Sequence, residues 1–168
     1  MMTFKERLQS TERLTAHIVN IPSATVTQAI AAAGADAVIV DFEHGAIDHA
    51  SAHAMIAATA GTDCAPLVRV AENDTSQVKR VRDLGAEGVV FPLVRNAEDA
   101  TRAVAALHYP PSGNRGFGPF MAQARWGTPL LEYREAVEHK IVCCLLIETR
   151  DAVENIDAIC AVPGIDLI

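Results

Sequence analysis

Aromatic residues are scarce in this chain, 5% of the total. A core built around large ring clusters is therefore excluded. The abundant Ala and Val side chains suit strands and helices packed closely in layers. Positive charge is also short: 14 Lys and Arg stand against 21 Asp and Glu, a formal net charge of −7. An acidic chain with no basic cluster is a poor partner for a nucleic-acid backbone, so no nucleic-acid role is expected. No apolar run approaches the length of about 18 residues needed for a membrane-spanning helix, so no membrane association is expected. The opening Met1 to Arg7 stretch is too polar and acidic for a signal peptide, which points to a cytoplasmic location. The four cysteines, Cys64, Cys143, Cys144 and Cys160, form no C-x-x-C pair. Neighbouring Cys143 and Cys144 in a strand would face opposite ways. Free buried thiols are the expectation, with a disulfide or a zinc site as the alternative.

Half of the 168 residues are hydrophobic and 21% are charged, an ordinary globular balance that allows one domain over residues 1–168 with a sizeable core. Short apolar runs recur at 15–20, 37–43, 66–70, 88–94 and 141–148. They lack strict polar alternation, the pattern of parallel strands buried on both faces. Helical stretches separate them: from a Ser23 or Thr25 cap to Ala33, Asp48 to Ala60, Asp74 to Leu84, Asn96 to Leu107, Pro129 to Val137, and Asp151 to Cys160. Gly34, Gly61 and Gly85 are the expected helix stops. A weak repeat, Gly34-Ala35-Asp36-Ala37-Val38 against Gly85-Ala86-Glu87-Gly88-Val89, places a helix stop, an acidic turn and a strand start in the same order.

Alternation of strand and helix predicts an α/β fold with a parallel sheet. No G-x-G-x-x-G or G-x-x-x-x-G-K-[ST] follows a strand, which removes the usual nucleotide signatures of an open sheet. Polar residues gather at strand C-terminal ends instead: Asn20, Glu43, His44, Arg69, Arg95 and Glu148. A (β/α)8 TIM barrel assembles its active site on that rim, and at about 250 residues for a full barrel this chain would hold about the first two-thirds of one. Its last residues, Gly164-Ile165-Asp166-Leu167-Ile168, read as a strand just beginning, so the expectation is a barrel domain truncated at its C-terminus.

Several rim residues carry possible chemistry. His44 is placed as a general base, or is an exposed loop histidine. Arg69 can bind a carboxylate or an oxyanion, or pair with Glu43 or Glu72. Glu148 closes an otherwise apolar strand, where a carboxylate is costly unless bound to a metal or paired with Arg150 or a rim arginine. His49 and His53 have i, i+4 spacing without the glutamate of H-E-x-x-H, and read as a solvated helix face. The Pro/Gly-rich segment Tyr109 to Gly118 is either an active-site loop or a rigid surface connection.

Taken in order, Asp41-Phe42-Glu43-His44, Pro66-Leu67-Val68-Arg69, Tyr109-Pro110-Pro111-Ser112-Gly113-Asn114-Arg115-Gly116 and Ile147-Glu148-Thr149 resemble the HpcH/HpaI family of class II pyruvate aldolases. The resemblance runs from about Thr15 to the C-terminus. It implies a TIM barrel that reversibly cleaves 4-hydroxy-2-oxo acids into pyruvate and an aldehyde. It further implies His44 as general base, Arg69 as the group steadying the enolate oxygen, and Asp83 as an acid supporting the histidine. Arg69 and Arg115 would bind substrate. Glu148 would ligate a divalent metal, Mg²⁺, Mn²⁺ or Co²⁺, and the protein would be a homo-oligomer. No lysine stands at a strand end as a Schiff-base candidate, consistent with a metal enolate. Two departures stand out. Leu146 occupies the position of a glutamine in the heptanedioate aldolases, and the family's second metal ligand, an aspartate in a Gly-Pro-x-Asp-Leu segment, would lie beyond Ile168. A citramalyl- or malyl-CoA lyase and a catalytically silent barrel are the competing readings.

Overall fold

Apolar runs bounded by glycine stops and polar caps become strands when helices can cover their outer face, and among the described residues five do so. The computed structural model describes residues 2–10 and 13–168. Its strands are β1 (Ala16–Val19), β2 (Ala37–Asp41), β3 (Ala65–Arg69), β4 (Gly88–Phe91) and β5 (Val142–Leu145). They form one parallel sheet in sequential order. Sequential parallel neighbours joined by returning helices are the wall of a β/α barrel.

The helices are α1 (Phe4–Leu8), α2 (Ala24–Ala32), α3 (His49–Ala57), α4 (Thr75–Asp83), α5 (Ala97–Leu107), α6 (Ala122–Trp126), α7 (Tyr133–Val137), α8 (Arg150–Glu154) and α9 (Ile156–Cys160). Side-chain oxygens of Ser23, Asp48, Asp74, Asn96 and Thr149 accept backbone N–H groups at the starts of α2, α3, α4, α5 and α8. Each removes an orphan donor from a helix start. Gly34 and Gly85 adopt φ of +92° and +107° just past α2 and α4. The two halves of the sequence repeat therefore share one left-handed turn leading into a strand.

Two packed layers result. Val38, Val40, Val68, Val89, Phe91, Cys143 and Leu145 join the helices in the outer layer. Ala37, Ala65, Leu67, Val90 and Val142 face the other way, where Phe4 of α1 packs on them. This second layer is the barrel lumen, plugged at one end by α1. Because strand side chains alternate, the parity that turns Ala37 and Ile39 inward also turns Asp41 inward, and likewise Arg69 after Ala65 and Leu67.

The differences from expectation have local causes. Helix α1 is too short to show periodicity, yet a Thr3–Glu6 capping box starts it. The helix expected from Pro129 begins only at Tyr133, after backbone turns between Pro129 and Glu132 and between Leu130 and Tyr133. The helix expected over Asp151 to Cys160 is split at Asn155, whose amide donates to the Arg95 and Asp151 carbonyls. Near the C-terminus Leu167 makes a parallel bridge to Cys144, with Leu145 N–H donating to Leu167 O at 2.9 Å. That is the strand start read from the sequence. All four cysteines are free, and burial pushes the Cys64 thiol up to about 11.

Candidate active site

Strand register brings the first functional pair together. Asp41 and Arg69 are opposite partners at the ends of β2 and β3. Arg69 Nε donates to Asp41 Oδ1 at 2.9 Å and Nη2 to Oδ2 at 2.8 Å, a two-pronged pairing that fixes the guanidinium plane. Arg69 Nη1 lies 3.2 Å from Glu43 Oε2. Asp41 Oδ1 also accepts the backbone N–H groups of Glu43 (3.0 Å) and His44 (3.3 Å). Burial pushes the Asp41 carboxyl up, but the Arg69 and backbone hydrogen bonds outweigh it and hold it below the ordinary aspartate value. The same hydrogen bonds raise Arg69 despite its burial, with Glu43 and Glu148 adding to the effect.

β2 ends at Asp41, so His44 lies three residues past the strand rather than at its tip. Its side chain is 71% exposed, with Nε2 3.8 Å from Glu43 Oε1. The turn that carries it depends on Gly45. A Cβ there would lie 2.3 Å from the Asp41 carbonyl and 3.2 Å from Asn20 Cα, so only glycine lets the turn fold against the end of β1. β5 likewise ends at Leu145, leaving exposed Glu148 three residues beyond. Its Oε2 accepts the Leu93 N–H at 2.9 Å. Leu93, in the turn after β4, has φ +54°, a conformation uncommon for a non-glycine residue.

The structure thus gathers Asp41, Glu43, His44, Arg69 and Glu148 on the C-terminal rim. It does not bring Asp83 or Arg115 there. Asp83 ends α4, which runs from the rim after β3 back toward the start of β4, and its Oδ1 accepts Arg115 Nη2 at 2.6 Å. Within one copy of the chain Asp83 makes no bond to His44, and the acid beside His44 is Glu43. Arg115 is 1% exposed and its guanidinium lies over the Tyr109 ring. Within one copy of the chain that side chain is covered and paired away from the rim, unlike Arg69, the other arginine expected to bind substrate. The Tyr109 to Gly118 segment follows α5 and packs near α4, with Gly118 close to Asp83 and Gly116 close to Lys79. Arg95 remains an exposed rim residue. His49 packs its ring on Phe42 at 5.2 Å.

Two participants were not singled out from the sequence as site residues. Asp41 is the hub, and its signal was an acid inside an apolar strand, which needs a buried partner. Leu93 has no sequence signal, since leucine does not favour its backbone conformation.

Among the described residues no group of three or more His, Cys, Asp or Glu side chains is placed to hold one metal ion. Glu148 is the carboxylate that fits a metal best: one oxygen takes the Leu93 amide and the other is free at the mouth. One or two carboxylates with water and substrate oxygens suffice for Mg²⁺-type sites. The residues present fit a single protein ligand of such a site.

The chain thus presents a parallel β/α barrel wall whose rim joins a guanidinium, a histidine and carboxylates. Residues 18–168 match the family model for HpcH/HpaI aldolase/citrate lyase, and the chain belongs to that family. It is 40% identical over 146 residues to a 2-dehydro-3,6-dideoxy-6-sulfogluconate aldolase from Pseudomonas putida, covering 87% of this chain and 57% of that protein. A pyruvate aldolase from Rhizobium etli is 35% identical over 163 residues, 97% of this chain and 64% of that protein. The crystal structure of an HpcH/HpaI aldolase from Desulfitobacterium hafniense superposes with a TM-score of 0.88 at 30% identity, covering 98% of this chain and 64% of that one. The chain thus spans less than two-thirds of the length of these relatives.

Proposed function

We propose that the protein carrying this chain is a metal-dependent aldolase that reversibly cleaves a 4-hydroxy-2-oxo acid into pyruvate and an aldehyde. The observation that supports this most is the Arg69 guanidinium, locked by Asp41 and Glu43 beside a histidine whose backbone N–H the same Asp41 holds. In the cleavage direction His44 takes the C4 hydroxyl proton and the C3–C4 bond breaks. The oxygen's electrons become the aldehyde carbonyl, and the bond pair passes into the pyruvate enolate. Arg69, fixed before the reaction, lies against the developing negative oxygen, where preorganised charge lowers the barrier most. C3 then regains a proton. A divalent ion, Mg²⁺, Mn²⁺ or Co²⁺, held through Glu148 would supply Lewis-acid polarisation of the 2-oxo group. Exposed Phe117, Phe120 and Met121 favour contact with further copies of the chain, in line with a homo-oligomer.

The test is pyruvate release from 4-hydroxy-2-oxo acids after chelation and after return of each metal. Metal-restored pyruvate release is expected. Cleavage unaffected by chelation would remove the metal from the reading, and no cleavage under any condition would remove the aldolase.

A further inference from the structure

Arg82 and Arg115 are the largest fully buried side chains described, and both lie outside the rim site. Arg82, on α4, donates Nη1 to the Ala86 carbonyl. Arg115 gives Nη2 to Asp83 and lays its guanidinium 4.6 Å from the centre of the Tyr109 ring. Tyr109 packs in one small cluster with Tyr133, Ala122 and Val137. Glu138 Oε1 accepts the Tyr109 N–H at 2.9 Å and faces His108 Nδ1 at 3.1 Å. Arg115, Tyr133, Tyr109 and Glu138 act on Arg82 and share one neighbourhood with it, and buried Glu87, which also faces Arg125 and Lys140, interacts with it as well.

Hydrogen-bond accounting there does not balance. Arg82 Nε and Nη2, Arg115 Nε and Nη1, and the hydroxyls of Tyr109 and Tyr133 are buried without a partner, and against these donors stand only Glu138 Oε2 and the two hydroxyl oxygens as unpartnered acceptors. A buried polar group without a partner costs about 1–3 kcal/mol, and more if charged. Water answers such a surplus poorly, because each molecule that accepts also brings two hydrogens needing acceptors. An anion accepts on every side. Charge points the same way: Asp83 is engaged by Arg115 and Glu138 by His108, whereas the one bonded partner of Arg82 is a neutral carbonyl. Burial pushes Arg82 down only to about 10 and Tyr109 up to about 12, so both keep their protons at neutral pH.

We propose that Arg82, Arg115, Tyr109 and Tyr133 enclose a site for a small inorganic anion of chloride size. The ion ties α4 to the Tyr109–Gly118 segment and to α7, and it is independent of the rim chemistry. The capacity for anions first expected of Arg115 at the substrate is directed inward.

The test uses melting of the chain in sodium chloride and in sodium gluconate at equal ionic strength, together with anomalous diffraction from bromide-soaked crystals. Expected are a melting temperature that rises with chloride but not with gluconate, and a bromide peak in hydrogen-bond reach of both guanidinium groups. Tyr133→Phe removes one neutral donor and should raise the chloride needed for half the effect about tenfold. Arg82→Met should abolish the chloride effect, and if it does not fold, Tyr133→Phe decides. Identical melting in the two salts with only water density between the arginines overturns the proposal, as does bromide bound solely elsewhere.

Discussion

At the scale of single residues the rim is a set of mutual dependences. Asp41 is buried and engaged by Arg69 through both carboxylate oxygens. Arg69→Ala would strand that carboxylate, a loss of about 3–5 kcal/mol from breaking a buried pair, and so would confuse unfolding with lost catalysis. Arg69→Lys is the cleaner probe. It keeps a positive charge but not the planar fork. We expect kcat to fall on the order of 100-fold while circular dichroism stays native, the range for losing one preorganised transition-state donor. Kinetics equal to wild type would remove Arg69 from the chemistry. A second prediction follows from the lowered Asp41 value. An aspartate held below its unfolded value stabilises the fold above about pH 4, and the contribution drains away as pH falls through the folded value. Asp41→Asn should therefore melt well below wild type at pH 7, and the gap should narrow below about pH 4. A gap constant with pH would mean that the charge on Asp41 carries none of the stability. The sequence showed these residues as types: Glu43, His44, Arg69 and Glu148 were legible because polar groups closing apolar runs need a reason. Their partners were not legible. That Arg69 chooses Asp41 depends on strand register, and that Asp83 and Arg115 meet away from the rim depends on how the Tyr109–Gly118 segment folds back on α4.

At the scale of elements, caps and stops made the fold readable. Of the two caps offered for α2 Ser23 is the one used, Asp48, Asp74 and Asn96, read as helix starts, are N-caps, and Gly34, Gly61 and Gly85 have positive φ. Three features were not read from the sequence: Phe4–Leu8, which a Thr3–Glu6 capping box starts, Ala122–Trp126, which Gly127 ends at φ +60°, and the break at Asn155, whose amide reaches the Arg95 carbonyl. Two glycines separate conformational cost from packing cost. A Cβ at Gly34 would meet nothing within 4 Å, so Gly34→Ala pays only for its left-handed backbone, about 1 kcal/mol. At Gly88, opening β4, a Cβ would sit 2.7 Å from the Val142 carbonyl and 2.8 Å from Leu67 Cδ2 and Val142 Cβ. Gly88→Ala must part β4 from β5, and the loss expected is larger, about 2–3 kcal/mol. Chemical denaturation of the two variants checks the order, and equal losses would show that the strands yield more readily than their spacing implies.

For the whole molecule the telling feature is the asymmetry of the sheet's two edges. At β5 the bridge to Leu167 already extends the wall. Among the described residues the only strand beside β1 is β2, and Ala16, His17 and Ile18 are exposed, Ile18 at 60%. Ile18 pairs in register with Ile39, so its side chain belongs to the lumen face, which in a closed barrel is filled by side chains from all around the wall. An apolar strand with a free backbone edge is a template for another chain. We therefore expect this 168-residue chain to self-associate through β1 at micromolar concentration. Lysine on an edge strand opposes such pairing, since its charge cannot be buried between strands. Ile18→Lys should weaken association at least tenfold in sedimentation equilibrium. Val153, also 60% exposed but on α8, provides the control for a general effect of added charge. Val153→Lys should leave association at the wild-type level. If both lysines weaken association equally, overall charge rather than the β1 edge governs it; if neither does, the contact between copies lies on another face.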